Sequence, residues 1–139
     1  MSGCSSDNKT GAPQKINVLD SDFTLKYEIK FSSPTSTGIS NQIYYWTEDI
    51  NQNKQVEVLE NIPPSTSTWS KIINAKLKVR PYKMGFRANG LIYITGYGNA
   101  TCNAYVNDRL TVSQTTDNAN AYHGIPVNFQ SASYSIYFN

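Results

Sequence analysis

Side chains able to do covalent or metal chemistry are few in this chain of 139 residues, which has one histidine and two cysteines. His123 stands in Ala121-Tyr122-His123-Gly124, and nothing near it offers the short cysteine/histidine spacing of a structural zinc site. A lone histidine in such a polar stretch reads as surface. Cys102 lies in the alternating segment Ala100-Thr101-Cys102-Asn103-Ala104-Tyr105-Val106, with no histidine close in sequence to lower its pKa. It reads as a buried, inert thiol. Asp20-Ser21-Asp22 has the alternate spacing of a calcium-loop fragment but lacks the glycine and distal glutamate that complete one. Glu48-Asp49 is adjacent on an expected strand, so the two side chains diverge and cannot share a substrate as an acid/base pair. Gly96-Tyr97-Gly98 joins strand to strand and has no helix N-terminus to hold a phosphate. The expectation is a protein that is not an enzyme, with no metal and no cofactor.

Cys4 has a different context. Ser2-Gly3-Cys4 followed by Ser5-Ser6-Asp7-Asn8 resembles the end of a bacterial lipobox, in which the cysteine becomes the lipidated N-terminus. No charged and apolar export leader precedes it, so the sequence reads as a trimmed or truncated precursor. The expectation is a lipid anchor on Cys4 and a flexible tether over residues 1–19. That places the domain in the bacterial cell envelope, facing the periplasm or the cell surface.

Two sets of residues could bind a partner. Residues 61–107 carry Lys71, Lys76, Lys78, Arg80, Lys83 and Arg87 and no acid, whereas residues 1–60 are net −3. Lys76, Lys78 and Arg80 would project from one strand face at about 6.5–7 Å intervals. With Lys83 and Arg87, interleaved with Tyr82 and Phe86, they form a candidate contact for an anionic partner. The bland reading is a solvated strand guarded against edge-to-edge pairing. The second set is Tyr97, Asn99, Tyr122 and His123, in loops whose aromatic and amide side chains suit a sugar or small ligand. A whole-chain charge of +2 is too weak a balance for a nucleic-acid binder.

The elements that must position these residues are strands. Phe23, Leu25, Tyr27, Ile29 and Phe31 alternate with Thr24, Lys26, Glu28 and Lys30, the pattern of a half-buried strand. Further strands are expected over 41–50, 55–60, 67–73, 75–80, 90–97, 101–106 and 109–114. The last two would be joined by a tight turn at Asn107-Asp108. Residues 115–124 read as a loop and 133–138 as a final strand. Trp46, Trp69, Tyr27, Phe31 and Tyr105 are expected in the core, and Tyr44 and Tyr45 on opposite faces. No repeat and no run of about 18 apolar residues is present. The fold class is all-β: one antiparallel, immunoglobulin-like sandwich of about seven to eight strands over residues 20–139.

Several short pieces resemble the MmpS family, small mycobacterial membrane-anchored proteins that accompany RND-type lipid exporters. They are Lys26-Tyr27-Glu28-Ile29, Ile43-Tyr44-Tyr45-Trp46, Ile62-Pro63 with Trp69, and Cys102-Asn103-Ala104-Tyr105-Val106-Asn107-Asp108. The family tends to carry Leu-Pro-Trp and Cys-x-Ile-x-Val-Asp-Gly runs at the last two. Here Trp69 is six residues beyond Pro63, Arg109 replaces the turn glycine, and the anchor would be lipid rather than a transmembrane helix. The resemblance implies an extracytoplasmic sandwich and brings no catalytic residue. Two functions are therefore expected: a non-enzymatic interaction or transport-accessory domain with a protein partner in the envelope, or a surface module that binds glycan or a small ligand.

Overall fold

The structure is a computed structural model that describes residues 22–79, 82–116 and 122–130, without the side chains of Tyr122, His123 and Gln130. Eight strands are formed among the described residues: β1 (Phe23–Phe31), β2 (Asn41–Asp49), β3 (Lys54–Ile62), β4 (Thr68–Ala75), β5 (Gly85–Tyr97), β6 (Ala100–Val106), β7 (Arg109–Thr115) and β8 (Tyr122–Gln130). They make two four-stranded antiparallel sheets, ordered β4-β1-β6-β7 (sheet I) and β3-β2-β5-β8 (sheet II). The expected all-β sandwich is therefore the fold. A constant-type immunoglobulin domain divides seven strands four and three. Among the described residues the division is four and four, and the β6–β7 hairpin joins β1.

The alternation of β1 buries Phe23, Leu25, Tyr27, Ile29 and Phe31 against sheet II. Phe86 is the centre of the core, with ring contacts to Tyr27 at 5.5 Å, Trp69 at 5.6 Å and Phe129 at 5.1 Å. Tyr27 is wholly buried, and its hydroxyl donates to the Trp46 carbonyl at 2.9 Å and accepts from the Gly85 N–H at 3.2 Å. That bridges the sheets and satisfies a buried hydroxyl. Along the β3/β4 edges, Glu60 accepts from Lys71 Nζ at 2.6 Å, Trp69 Nε1 at 3.2 Å and the Tyr45 hydroxyl at 3.3 Å. Burial alone would raise the Glu60 pKa, but these donors hold it below the usual value.

Several sequence expectations are corrected. Trp46 and Tyr105 are half-buried on outward faces rather than in the core, because Ile43 and Tyr45 take the inward positions of β2 and Ala104 and Val106 those of β6. Residues 76–79 form no strand. Leu77 is buried and Val79 packs against the core, so the alternation is real, but the Lys76 and Leu77 N–H groups donate to the Glu48 carboxylate instead of a ladder. β5 begins before Gly90, not at it, because Gly90 takes a positive φ of 86° inside a bulged strand. Residues 122–124, expected in a loop, belong to β8, which accommodates Pro126 because among the described residues it pairs with β5 alone. The Asn107-Asp108 turn has both residues at positive φ, as a type I′ hairpin requires, and Asn107 clips to Thr24. The expected strand at 133–138 and the tether at 1–19 lie outside the described residues.

Candidate binding face on sheet II

Asn128, Pro126, Gly124 and Tyr122 hold alternate register positions of β8, between which Ile125, Val127 and Phe129 point into the core. These positions pair with Arg87, Leu91, Tyr93 and Tyr97 of β5. Gly124 leaves a flat place in this row: a Cβ there would lie 2.8 Å from Leu91 Cδ1 and 3.4 Å from Tyr93 Cε1. Both side chains therefore lie against the glycine backbone. The strand then bulges between Tyr93 and Tyr97, with Gly96 at φ 75°, and sets Tyr97 opposite Tyr122. Tyr97 is 61% exposed. Two of the expected ligand residues, far apart in sequence, thus occupy directly opposed positions, with Tyr93 beside them. Asn99 follows at the end of β5, half-buried, its backbone paired with Ser32. His123 follows Tyr122 in β8, and its side chain lies outside the described residues.

Further along the same face, Arg87 stacks on Tyr44 with its Cζ 4.2 Å from the ring centroid. Its Nε and Nη2 donate to the two Glu57 carboxylate oxygens at 3.1 and 3.2 Å, a bidentate pair that raises the Arg87 pKa. Lys83 Nζ lies 4.9 Å from the Trp46 ring centroid. Gln42 ties Asn61 and Asn89 into a row of amides across β3, β2 and β5, at 3.1 and 2.9 Å.

The expected basic patch is dispersed. Lys78 and Lys76 reach Asp22 at 3.1 and 3.9 Å, away from the strand face they were expected to share with Arg80. Arg80 and Cys4 lie outside the described residues. Tyr82 and Phe86, expected beside Lys83 and Arg87 at the surface, are buried. Lys83 and Arg87 are brought together with Trp46 and Tyr44, which residue type alone had assigned to no common site. Strand parity was the signal that could have found the pair, since an inward Ile43 and Tyr45 force Tyr44 and Trp46 outward. Cys102 is buried on the inward side of β6. Among the described residues no three histidine, cysteine, aspartate or glutamate side chains cluster as metal ligands, and no helix is long and apolar enough to cross a membrane.

No protein-family model matches the sequence, no curated protein matches it, and no solved structure matches the fold.

Proposed function

We propose that this domain is a non-enzymatic glycan-binding module of the bacterial cell envelope, held at a membrane by lipid on Cys4. The observation that carries the reading is the exposed ring of Tyr97 at the β5 position that pairs with Tyr122 of β8, next to Tyr93 over Gly124. Tyrosine offers a broad apolar ring with a polar tip, and a sugar offers an apolar ring face with hydroxyls around it. A sheet face presents such rings on rigid backbone, so little ordering is needed on binding.

The test is titration of the protein with soluble neutral and acidic oligosaccharides, followed by heat and by tyrosine fluorescence. Binding that Tyr97→Ala and Tyr122→Ala each weaken at least tenfold, with unchanged unfolding midpoint, supports the reading. Binding indifferent to both substitutions, or no binding to any sugar, overturns it.

A second reading follows the resemblance to exporter-associated proteins. On the outer face of sheet I, Ile72 and Leu110 are 60% and 52% exposed and flank Lys26 and Tyr105 in one cross-strand row. A protein partner in the envelope would dock there. Site-specific crosslinks from these two positions to an inner-membrane exporter component would favour it, and crosslinks to lipid or polysaccharide alone would discard it.

A further inference from the structure

The tyrosine group does not end the outward face of sheet II. From Tyr122 to Asn128 the β8 register advances six residues, about 20 Å at the rise of an antiparallel strand. Over that distance the surface passes Tyr93 and Gly124, then the exposed pair Leu91 and Pro126, and reaches Arg87 on Tyr44 and Lys83 beside Trp46. A single sugar would occupy only one end.

The two ends differ in charge. At the tyrosine end the β5 and β8 residues described, Tyr93, Tyr97 and Gly124, carry no charge. At the far end Arg87 uses Nε and Nη2 on Glu57 and leaves its Nη1 edge outside that pair. Lys83 is exposed, and no carboxylate of a described residue lies within ion-pair distance of its ammonium. What holds the Lys83 residue is backbone: its N–H donates to Gln55 Oε1 at 2.9 Å and its carbonyl accepts from Gln55 Nε2 at 2.7 Å. The side chain is thus a cation beside an aromatic ring, on a held backbone, with its charge unmatched among the described residues.

We propose that the ligand is an acidic polysaccharide, a chain bearing carboxylates, that runs along β5 from the Tyr97–Tyr122 pair to a second contact at Trp46, Lys83, Tyr44 and Arg87. This rests on the glycan reading above and names the ligand class. A carboxylated sugar chain supplies both things the face lacks: negative charge for Lys83 and the Arg87 edge, and length enough to touch both ends. Ring contacts along the chain add to the charge-assisted hydrogen bonds at the cationic end.

The experiment titrates the full chain with galacturonic acid, its trimer and a long oligogalacturonate, against a neutral cello-oligosaccharide of equal length and against polyglutamate. Lys83→Glu and Tyr97→Ala are compared with the unaltered protein, at low and high salt. Acrylamide quenching of tryptophan supplies a local readout, because Trp46 is half-exposed and Trp69 is buried. The expected result is affinity rising at least tenfold from trimer to long chain, protection of Trp46 by the long chain only, and a loss of about tenfold with Lys83→Glu that high salt also produces. Lys83→Glu should leave trimer binding intact, whereas Tyr97→Ala should weaken trimer and long chain alike. A neutral chain or polyglutamate that binds as tightly as oligogalacturonate overturns the ligand class. Length-independent binding, or long-chain binding indifferent to Lys83→Glu, overturns the second contact while leaving the tyrosine site standing. Binding indifferent to Tyr97→Ala instead removes the glycan reading at its root.

Discussion

Glu48 should be among the most costly carboxylates in the molecule to remove, although no catalysis is asked of it. Its oxygens accept from the Lys76 N–H at 3.0 and 3.1 Å, from the Leu77 N–H at 3.3 Å and from the hydroxyl of buried Tyr82. Both the burial of Tyr82 and this negatively charged neighbour push the tyrosine pKa up. In Glu48→Ala the hydroxyl of buried Tyr82 loses this charged acceptor in a part-buried place, at about 1–3 kcal/mol. The part-buried Leu77 N–H adds about 1 kcal/mol, while the Lys76 N–H is exposed and finds water. The sum is about 2–4 kcal/mol, a large share of the ~5–15 kcal/mol that holds a typical domain. Urea unfolding followed by tryptophan fluorescence measures it, and at a slope of about 2 kcal/mol/M the midpoint should fall by roughly 1–2 M. Tyr82→Phe removes the donor as well as the need for an acceptor and should cost less. The double variant should then fall short of the sum of the two singles by at least about 1 kcal/mol. If Glu48→Ala lies within ~0.5 kcal/mol of the parent, or the two changes simply add, the carboxylate does not pin the segment after β4 and the account of why it leaves the sheet is wrong.

Three other outcomes follow from the same contacts. Burial would raise the Glu28 pKa, but donors Asn103 and Tyr105 with Lys30 and Lys26 nearby hold it down, as Trp69 and Lys71 do for Glu60. Their folded values lie below the unfolded ones, so their contribution is present above about pH 4.3 and lost as pH falls through the lower folded values. Glu28→Gln with Glu60→Gln should flatten the acid limb of a stability-versus-pH curve, and an unchanged slope would contradict the assignment. Gly124→Ala places a Cβ against Leu91 Cδ1, the exposed end of a flexible side chain, so stability should change by less than ~1 kcal/mol. Sugar affinity should fall severalfold as the methyl and the displaced Leu91 fill the flat place beside Tyr93, and titration showing full affinity would remove that place from the site. Lys78→Glu sets like charges against Asp22 in an exposed pair, with 39% and 64% of the two side chains accessible. The loss should stay below ~1 kcal/mol and vanish in high salt, so a melting-temperature drop that survives salt would mean a packing role instead.

Much of the scaffold could be read in the sequence because its strands obey period two. β1 and the β6–β7 hairpin emerge from alternation and from Asn107-Asp108 alone. Strand bounds are less legible: Gly90 lies inside β5 because a bulge accommodates it, and residues 122–124 belong to β8 rather than to the expected loop. Hydrophobicity places Trp46 inside, against the parity of its own strand, and parity decides. The tyrosine pair could be named as candidate residues but not as neighbours, since only the β5–β8 register joins them.

The charge pattern shows most clearly what a linear reading lacks. Along the chain, acids crowd the first sixty residues and bases the next forty-seven, which suggests a cationic surface. Sheet formation folds the first stretch against the second. Asp22 meets Lys76 and Lys78, Glu57 meets Arg87, Glu60 meets Lys71, and Glu48 takes the N–H groups of Lys76 and Leu77. Lys71, Lys76, Lys78 and Arg87 of the basic segment thus each meet an acid of the first stretch, and much of the segment's charge is answered within the molecule. Lys83 is the exception among the described residues of that segment: its backbone is held by Gln55 and its ammonium lies over Trp46, where no acid answers it. Charge that folding leaves unmatched on a rigid, aromatic surface is the part of the pattern a ligand can use. Reversing that one charge therefore separates binding from stability more cleanly than reversing the lysines that already have partners.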